Sequence, residues 1–235
     1  NLEKKPIKII SHFDTDGITS AAIFSRALQR QKKQFSLQII KNLEKKFIEN
    51  LPNDHLLIFL DLASGSLNHL KEKNTDVVII DHHEIVQDIP SNIFMVNPTL
   101  ENHEQISSAA ICYLLAKYLS HENKDLATLA VIGMVGDIHE QNIGRIYGEI
   151  IRDSETIIKK GLLIYPSTRP LNKVLEYSSS PYLPNITGSY QRVIEILREA
   201  NIQKNNGSYK ALYELTDDEM SNLTTAIMLR SAGKI

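Results

Sequence analysis

Apolar residues fall along this chain in two rhythms. In the first hundred residues they come as short runs: "IKII" (7–10), "FSLQII" (35–40), "LLIFLD" (56–61), "DVVIID" (76–81) and "IFMVNP" (93–98). Runs this short, rich in β-branched and aromatic residues, predict strands rather than helices, and Pro98 stops the last of them. Between the runs the spacing changes. "TSAAIFSRALQRQ" (19–31) carries Ala22, Ile23, Ala27 and Leu28 at helical spacing, "LEKKFIEN" (43–50) predicts a short helix, and "SLNHLKEK" (66–73) a helical turn or two. Strand and helix in alternation predict an α/β fold: a mainly parallel β-sheet flanked by helices on both faces.

Beyond residue 100 the helical rhythm takes over. "SSAAICYLLAKYLS" (107–120) and "DLATLAVIGMVG" (125–136) have apolar faces wide enough to be well buried. From about residue 141 the strand signal fades. "GRIYGEIIRDSETIIKKGL" (144–162) and "YQRVIEILREANI" (190–202) are helical, and "TDDEMSNLTTAIMLRSA" (216–232) is a helix with Thr216 as N-cap and acids in its first turn. The segment between, residues 165–189, is rich in Pro, Ser and Gly and should be mostly loop around one short helix. The expected organisation is an α/β core over residues 1–140 and a helical extension or connector over 141–235.

Composition narrows the classes. Of 235 residues 42% are hydrophobic, so a sizeable core can form. The formal net charge is −2, which argues against a globally basic nucleic-acid wrapper but leaves room for a local basic groove. One cysteine, Cys112, rules out a disulfide within the chain; it sits in an apolar pattern as a core thiol and fits a reducing, cytoplasmic setting. No apolar run approaches a membrane span and no signal peptide is recognised, so no membrane partner is expected. The chain opens on Asn1 rather than methionine, which reads as a piece of a longer protein.

The chemistry lies where the strands stop. Ligands of open parallel sheets bind beyond the carboxyl ends of the strands. The first run leads into Ser11-His12-Phe13-Asp14-Thr15-Asp16-Gly17, the run at 56–61 ends in Asp61, and the run at 76–81 ends in Asp81-His82-His83. A further acid, Asp137, follows "AVIGMVG". A single Asp at a strand end is ordinarily a cap or turn residue, and "DxDG" could be a turn or half a calcium loop; the joint occurrence, in order, is what points to one shared rim. Carboxylates packed so closely repel and raise one another's pKa, a penalty that bound divalent cations remove. Mostly Asp oxygens with one or two imidazoles suit Mn²⁺ or Mg²⁺ better than a structural zinc, and there are enough ligands for two ions able to clamp an in-line phosphoryl displacement.

"HFDTDG", "FLDLASG", "VIIDHHE" and "GMVGDIHE" resemble the four motifs of the DHH phosphoesterase superfamily. "MVNPTLENHEQISSAAICYLLAKYL" is similar to the segment after the DHH motif in RecJ-type exonucleases, and "STRPLNKVLEYSSSPYLPNITG" to archaeal RecJ-like nucleases; together the resemblance covers roughly residues 7 to 190. His12 stands two residues before Asp14 with no Pro between, the RecJ-like spacing, and Gly17 agrees. The resemblance implies that His12 and Asp14 bind one ion, that Asp16, His82 and Asp137 bind a second, and that Asp61 bridges them. Asp81 would be a ligand or would orient His82. His83 would sit by the scissile phosphate as a donor or acid/base. Asn97, Ser107 and Ser108 would lie near the substrate strand, and Arg169 would reach its backbone.

The implied cofactors are two divalent cations, Mn²⁺ first and Mg²⁺ as the alternative. The implied activity is a single-strand-specific exonuclease on DNA or RNA in replication or repair, with GINS or a repair helicase as partner. The alternatives are a hydrolase of short oligonucleotides, cyclic dinucleotides or phosphoadenosine phosphate, and a catalytically silent replication scaffold. Ile138-His139-Glu140 departs from the RecJ pattern: His139 is either an extra contact for substrate or metal, or a surface histidine. The family's DHH-associated C-terminal domain is not recognised in the chain. His55, His69, His103 and His121 lie in polar stretches and are expected at the surface.

Overall fold

We describe the protein from a computed structural model, which describes residues 5–101, 104–141, 143–156 and 161–232. Two compact units divide the chain, Asn1–Thr156 and Ile157–Ile235.

The first unit is built on five strands, β1 (Ile7–His12), β2 (Phe35–Ile40), β3 (Leu56–Leu60), β4 (Val77–Ile80) and β5 (Ile93–Val96). They pair in the order β2-β1-β3-β4-β5, every pair parallel. All five expected strands form. The chain steps outward from β1 to β2, then crosses to β3 on the other side of β1. That reversal makes the gap beyond the carboxyl ends of β1 and β3 a topological switch point, where such sheets bind ligands.

The central strands are apolar on both faces because both are covered. Ile9, Ile58, Leu60 and Ile80 face a core under α1 (Thr15–Arg30), α4 (Ser108–Leu119), α5 (Ala127–Gly136) and α6 (Arg145–Ser154). Ile10, Leu57, Phe59 and Ile79 face the opposite core, under α2 (Lys45–Glu49) and α3 (Leu67–Leu70). Full burial of one such side chain is worth about 1.5–3 kcal/mol. Cys112 is buried in the first core, as its apolar surroundings predict.

The "GMVG" stretch of α5 meets that layer at close quarters. A Cβ on Gly133 would stand 2.5 Å from the Ala109 Cβ and 2.6 Å from Asp16 Oδ1, and one on Gly136 would stand 2.6 Å from the Thr15 Cβ. Only glycine admits the approach. Helix α6 adds Tyr147, Ile150 and Ile151 to the same core. The first unit therefore runs past the expected division at 140/141; the chain leaves α6 only at Glu155, whose φ of 55° is left-handed.

The second unit has a core of its own. Helices α7 (Leu171–Glu176), α8 (Tyr190–Glu199) and α9 (Asp217–Ser231) enclose Leu171, Leu175, Val193, Leu197, Leu223 and Ile227. Thr216 caps α9 as expected: its Oγ1 accepts from the Glu219 amide at 3.2 Å, while Glu219 accepts from the Thr216 amide at 2.9 Å. A feature that the sequence pattern does not predict is the hairpin of β6 (Lys204–Asn205) and β7 (Ser208–Tyr209), turned by Asn206 and Gly207, both at positive φ. The expected helical continuation at 157–160 lies outside the described residues. No described helix is long and apolar enough to cross a membrane.

Candidate metal centre

Each corner of the site is held by local structure. At the end of β1, the buried Ser11 hydroxyl donates to the carbonyls of Gly17 at 2.7 Å and Leu60 at 3.2 Å, tying strand, loop and neighbouring strand together. Gly17 passes so close to His12 that a Cβ there would lie 2.4 Å from the His12 carbonyl oxygen. This lets α1 begin at Thr15 rather than Thr19, with Asp14 as its N-cap accepting from the Gly17 amide at 2.9 Å. The free oxygen of Asp14 stands 2.7 Å from His12 Nδ1. Phe13 sets its ring edge-on to the same imidazole, centroids 5.0 Å apart.

Asp16, wholly buried, is clasped by the start of α4. Its Oδ2 accepts from the Ser108 amide at 2.7 Å and its Oδ1 from the Ala109 amide at 2.9 Å. Asp61 follows β3 in left-handed backbone, φ 59°, a conformation Asp tolerates better than most residues. It is 1% exposed, and its two oxygens look in different directions. Oδ2 is 3.5 Å from His12 Nδ1; Oδ1 is 3.5 Å from His82 Nε2 and accepts from the Ser108 hydroxyl at 3.1 Å. Asp137 caps the end of α5, and its Oδ2 is 3.2 Å from His82 Nε2. His82 Nε2 is 3.9 Å from Asp16 Oδ2. His12, Asp14, Asp16, Asp61, His82 and Asp137 thus meet at the switch point, as the sequence predicts.

Other expected roles change. Asp81 neither joins the ligand groups nor orients the His82 ring. It is fully buried, and its Oδ1 accepts from His83 Nδ1 at 2.7 Å and from the His82 amide at 2.8 Å. Its Oδ2 accepts from the Ser64 amide and hydroxyl, at 3.0 and 2.6 Å. The ring it orients is that of His83. Asn97 is equally occupied: its amide nitrogen donates to the His83 carbonyl at 2.9 Å, and its oxygen accepts from the Thr99 amide and hydroxyl. Ser107 caps α4 and Ser108 grips the two acids, both at 0% exposure. These three polar side chains form part of the wall of the site. Arg169 is exposed in the second unit, on the turn before α7.

Two supporting residues escape a reading of the sequence. Ser64 lies inside a quoted motif, but its grip on Asp81 depends on the fold. Tyr147 gives no signal; its hydroxyl accepts from the Ser107 amide at 2.6 Å. Of the remaining histidines, His55 pairs with Asp54 and is half-buried, His69 and His121 are exposed, and His103 lies outside the described residues.

The acids cost free energy as they stand. Burial, then the charges of Asp16 and Asp14, push the Asp61 carboxyl up to about 10; burial and Asp16 raise Asp137 to about 7. Asp14 goes the other way: the Gly17 amide and His12 outweigh its burial. For Asp81, burial is overcome by hydrogen bonds from His83 and Ser64, which hold it well below the usual carboxylate range. His83 rises to about 9, chiefly through its bond to Asp81. A carboxylate so held has no proton to give, so His83 Nδ1–H is the donor and Nε2 is left for another partner.

The donor set fits divalent cations. His12, Asp14 and Asp61 form one group whose ligand atoms all lie within 4.8 Å of one another; Asp61, His82 and His83 form another, and His82, Asp137 and His139 a third. His12 Nδ1, Asp61 Oδ2 and Asp137 Oδ2 are buried and in no hydrogen bond; even the 2.7 Å approach of His12 to Asp14 lacks the alignment of one. Buried lone pairs converging without donors are what a cation would satisfy.

A parallel sheet with acids and imidazoles at its switch point defines an α/β protein of the cation-holding kind. Residues 6–134 match the N-terminal domain of the DHH family, and residues 164–234 match a DHH-CID domain. The chain belongs to the DHH family. The region expected as a connector therefore has a domain match of its own.

An uncharacterised protein of Methanocaldococcus jannaschii is 27% identical over 239 residues, covering 95% of this chain and 53% of that protein. The single-stranded-DNA-specific exonuclease RecJ of Bacillus subtilis is 25% identical over 162 residues, 60% of this chain and 20% of the enzyme. Among solved structures, an exonuclease RecJ bound to manganese superposes with a TM-score of 0.57 over 99% of this chain and 63% of that one, at 17% identity, a likeness of fold. The chain spans about half the length of the first relative and a fifth of the second.

Proposed function

We propose that the protein is a metal-dependent phosphodiesterase that removes nucleotides from single-stranded DNA or RNA by a two-cation mechanism. One observation carries this reading: Asp61 points one oxygen at His12 and the other at His82, an arrangement that would let one carboxylate serve two cations. His12, Asp14 and Asp61 would hold one ion. His82, Asp137 and Asp61 would hold the other, with Asp16 behind them. Mn²⁺ is the expected ion and Mg²⁺ the alternative. Bound cations supply the activation of water and the neutralisation of charge on the phosphate.

The chain's own groups do the rest. Asp61 and Asp16 sit at the floor, 1% and 0% exposed, and a recessed floor favours a single strand over the wider duplex. His83 stands at the mouth, its side chain 56% exposed. With a pKa near 9 it is cationic at neutral pH, and its Nε2–H can donate to a phosphate oxygen or protonate the leaving oxygen. Asp81 keeps that ring turned outward and charged. The relatives named as single-stranded-DNA-specific exonucleases support the exonuclease assignment; a role in replication or repair, beside GINS or a repair helicase, is part of the proposal.

The test is digestion, in Mn²⁺, of single strands of graded length labelled at the 5′ or 3′ end, beside a duplex of the same sequence. Stepwise shortening of the long single strands is expected. Activity confined to dinucleotides or small phospho-compounds would move the assignment to the short-oligonucleotide hydrolases.

A further inference from the structure

The family resemblance gives His139 no role. His139 follows Asp137 by two residues, and its ring centroid lies 5.9 Å from that of His82. His82, Asp137 and His139 each offer an atom within 4.8 Å of the others. We propose that His139 is a ligand of the cation on the His82–Asp137 side, giving that ion two imidazoles. The proposal rests on the two-cation reading and goes beyond it.

Two further features support it. Between the two residues, Ile138 takes φ 61°, a left-handed conformation that a β-branched residue avoids. Its own side chain is 62% exposed, so the strain is not balanced by burial there. What the kink does is stop α5 at Asp137 and bring His139 round to the same side. Second, His139 is backed: its ring lies edge-on to buried Tyr147, centroids 5.7 Å apart, and Tyr147 is anchored on the Ser107 amide. A solvent-facing histidine needs no such support.

A second imidazole also has a chemical consequence. Nitrogen donors favour first-row transition ions over the hard Mg²⁺, which prefers oxygen. His139 should therefore set a preference for Mn²⁺ over Mg²⁺ at this position.

The experiment is calorimetric titration of the whole chain, wild type and His139→Ala, with MnCl₂ and separately with MgCl₂. It is paired with pulsed electron paramagnetic resonance of the bound Mn²⁺ to count coupled ¹⁴N nuclei. The wild type should bind two Mn²⁺ with nitrogen coupling from three histidines. The variant should lose one of those couplings and bind one Mn²⁺ about tenfold or more weakly, on the scale of lost metal-site contacts, with Mg²⁺ binding nearly unchanged. His139→Gln, with a melt in chelator matching wild type, guards against a folding defect. Two Mn²⁺ bound equally well by wild type and both variants, with the nitrogen count unchanged, would overturn the assignment of His139 and leave the two-cation site standing. A wild type that binds no Mn²⁺ would overturn both.

Discussion

Replacing Asp61 by Asn should make the metal-free protein more stable, by a margin that Mn²⁺ narrows. Asp61 is 1% exposed and its carboxyl is pushed up to about 10 from 3.8, first by burial and then by Asp16 and Asp14. In the folded, metal-free chain it therefore holds a proton that the unfolded chain has released. Stability is full below about pH 4 and falls as pH rises toward 10. At pH 7 the unfolded carboxyl lies a little over three pH units above its own pKa of 3.8. At about 1.36 kcal/mol for each unit, the cost is a little over 4 kcal/mol. That figure depends only on the folded pKa lying above 7.

The substituted side chain cannot titrate, and its amide oxygen can still accept from the Ser108 hydroxyl, as the Asp61 carboxylate does. Melting in chelator across a pH series should show the two proteins alike near pH 4 and the variant higher at pH 7. The gap should be on the order of 10 °C, taking about 2–4 °C per kcal/mol for a chain of this size. With Mn²⁺ at a hundred times its dissociation constant the wild type should recover about 2.7 kcal/mol, while the variant gains little and hydrolyses nothing. A variant that melts below wild type in chelator by the same margin at every pH would refute the electrostatic reasoning and make Asp61 a structural residue.

Asp81→Asn should release His83: without the charge that holds it near 9, the imidazole should titrate closer to 6.5, and any alkaline limb of the pH–rate profile should move down with it. Imidazole chemical shifts followed by NMR check this, and an unmoved titration would mean that Asp81 does not govern His83. Gly133→Ala should cost about 1–3 kcal/mol by overpacking, since the new methyl would meet the Ala109 Cβ at 2.5 Å and Asp16 Oδ1 at 2.6 Å. It should also weaken Mn²⁺ binding by displacing Asp16; a melt and a titration matching wild type would contradict the close approach of α5.

What the sequence shows clearly is the frame. Strand ends are marked by apolar runs that stop, and the acids of the rim sit at those stops, so their meeting follows once the sheet is parallel. Residues whose role depends on a rotamer or on a distant element are harder. Asp81 could serve either neighbouring histidine until the Ser64 hydroxyl and the His83 ring fix its two oxygens. Ser107 and Ser108 read equally well as substrate contacts or as the start of a helix, and only the docking of α4 against Asp16 decides. The pattern places the start of α1 too late because Thr15, Asp16 and Gly17 break the apolar rhythm, although Asp14 caps the helix there. The helical pattern at 144–162 runs across the division between the units, so periodicity alone could not place that boundary.

The grip of α4 on Asp16 has a bearing on when the site can exist at all. The donors that satisfy Asp16 lie 92 and 93 residues further along the chain, and Asp137 comes later still. A nascent chain that has emerged only as far as β5 can pair its five strands. It would then carry Asp14, Asp16, Asp61 and Asp81 at one edge with neither α4 nor α5 to receive them. That intermediate is acidic and short of donors: His12, His82 and His83 are already in place, but Asp137, His139 and the amides that clasp Asp16 are not. Holding back the last ligands until the sheet is covered makes the centre a late step of assembly. A cation taken up there would then meet a finished cage rather than a half-made chain.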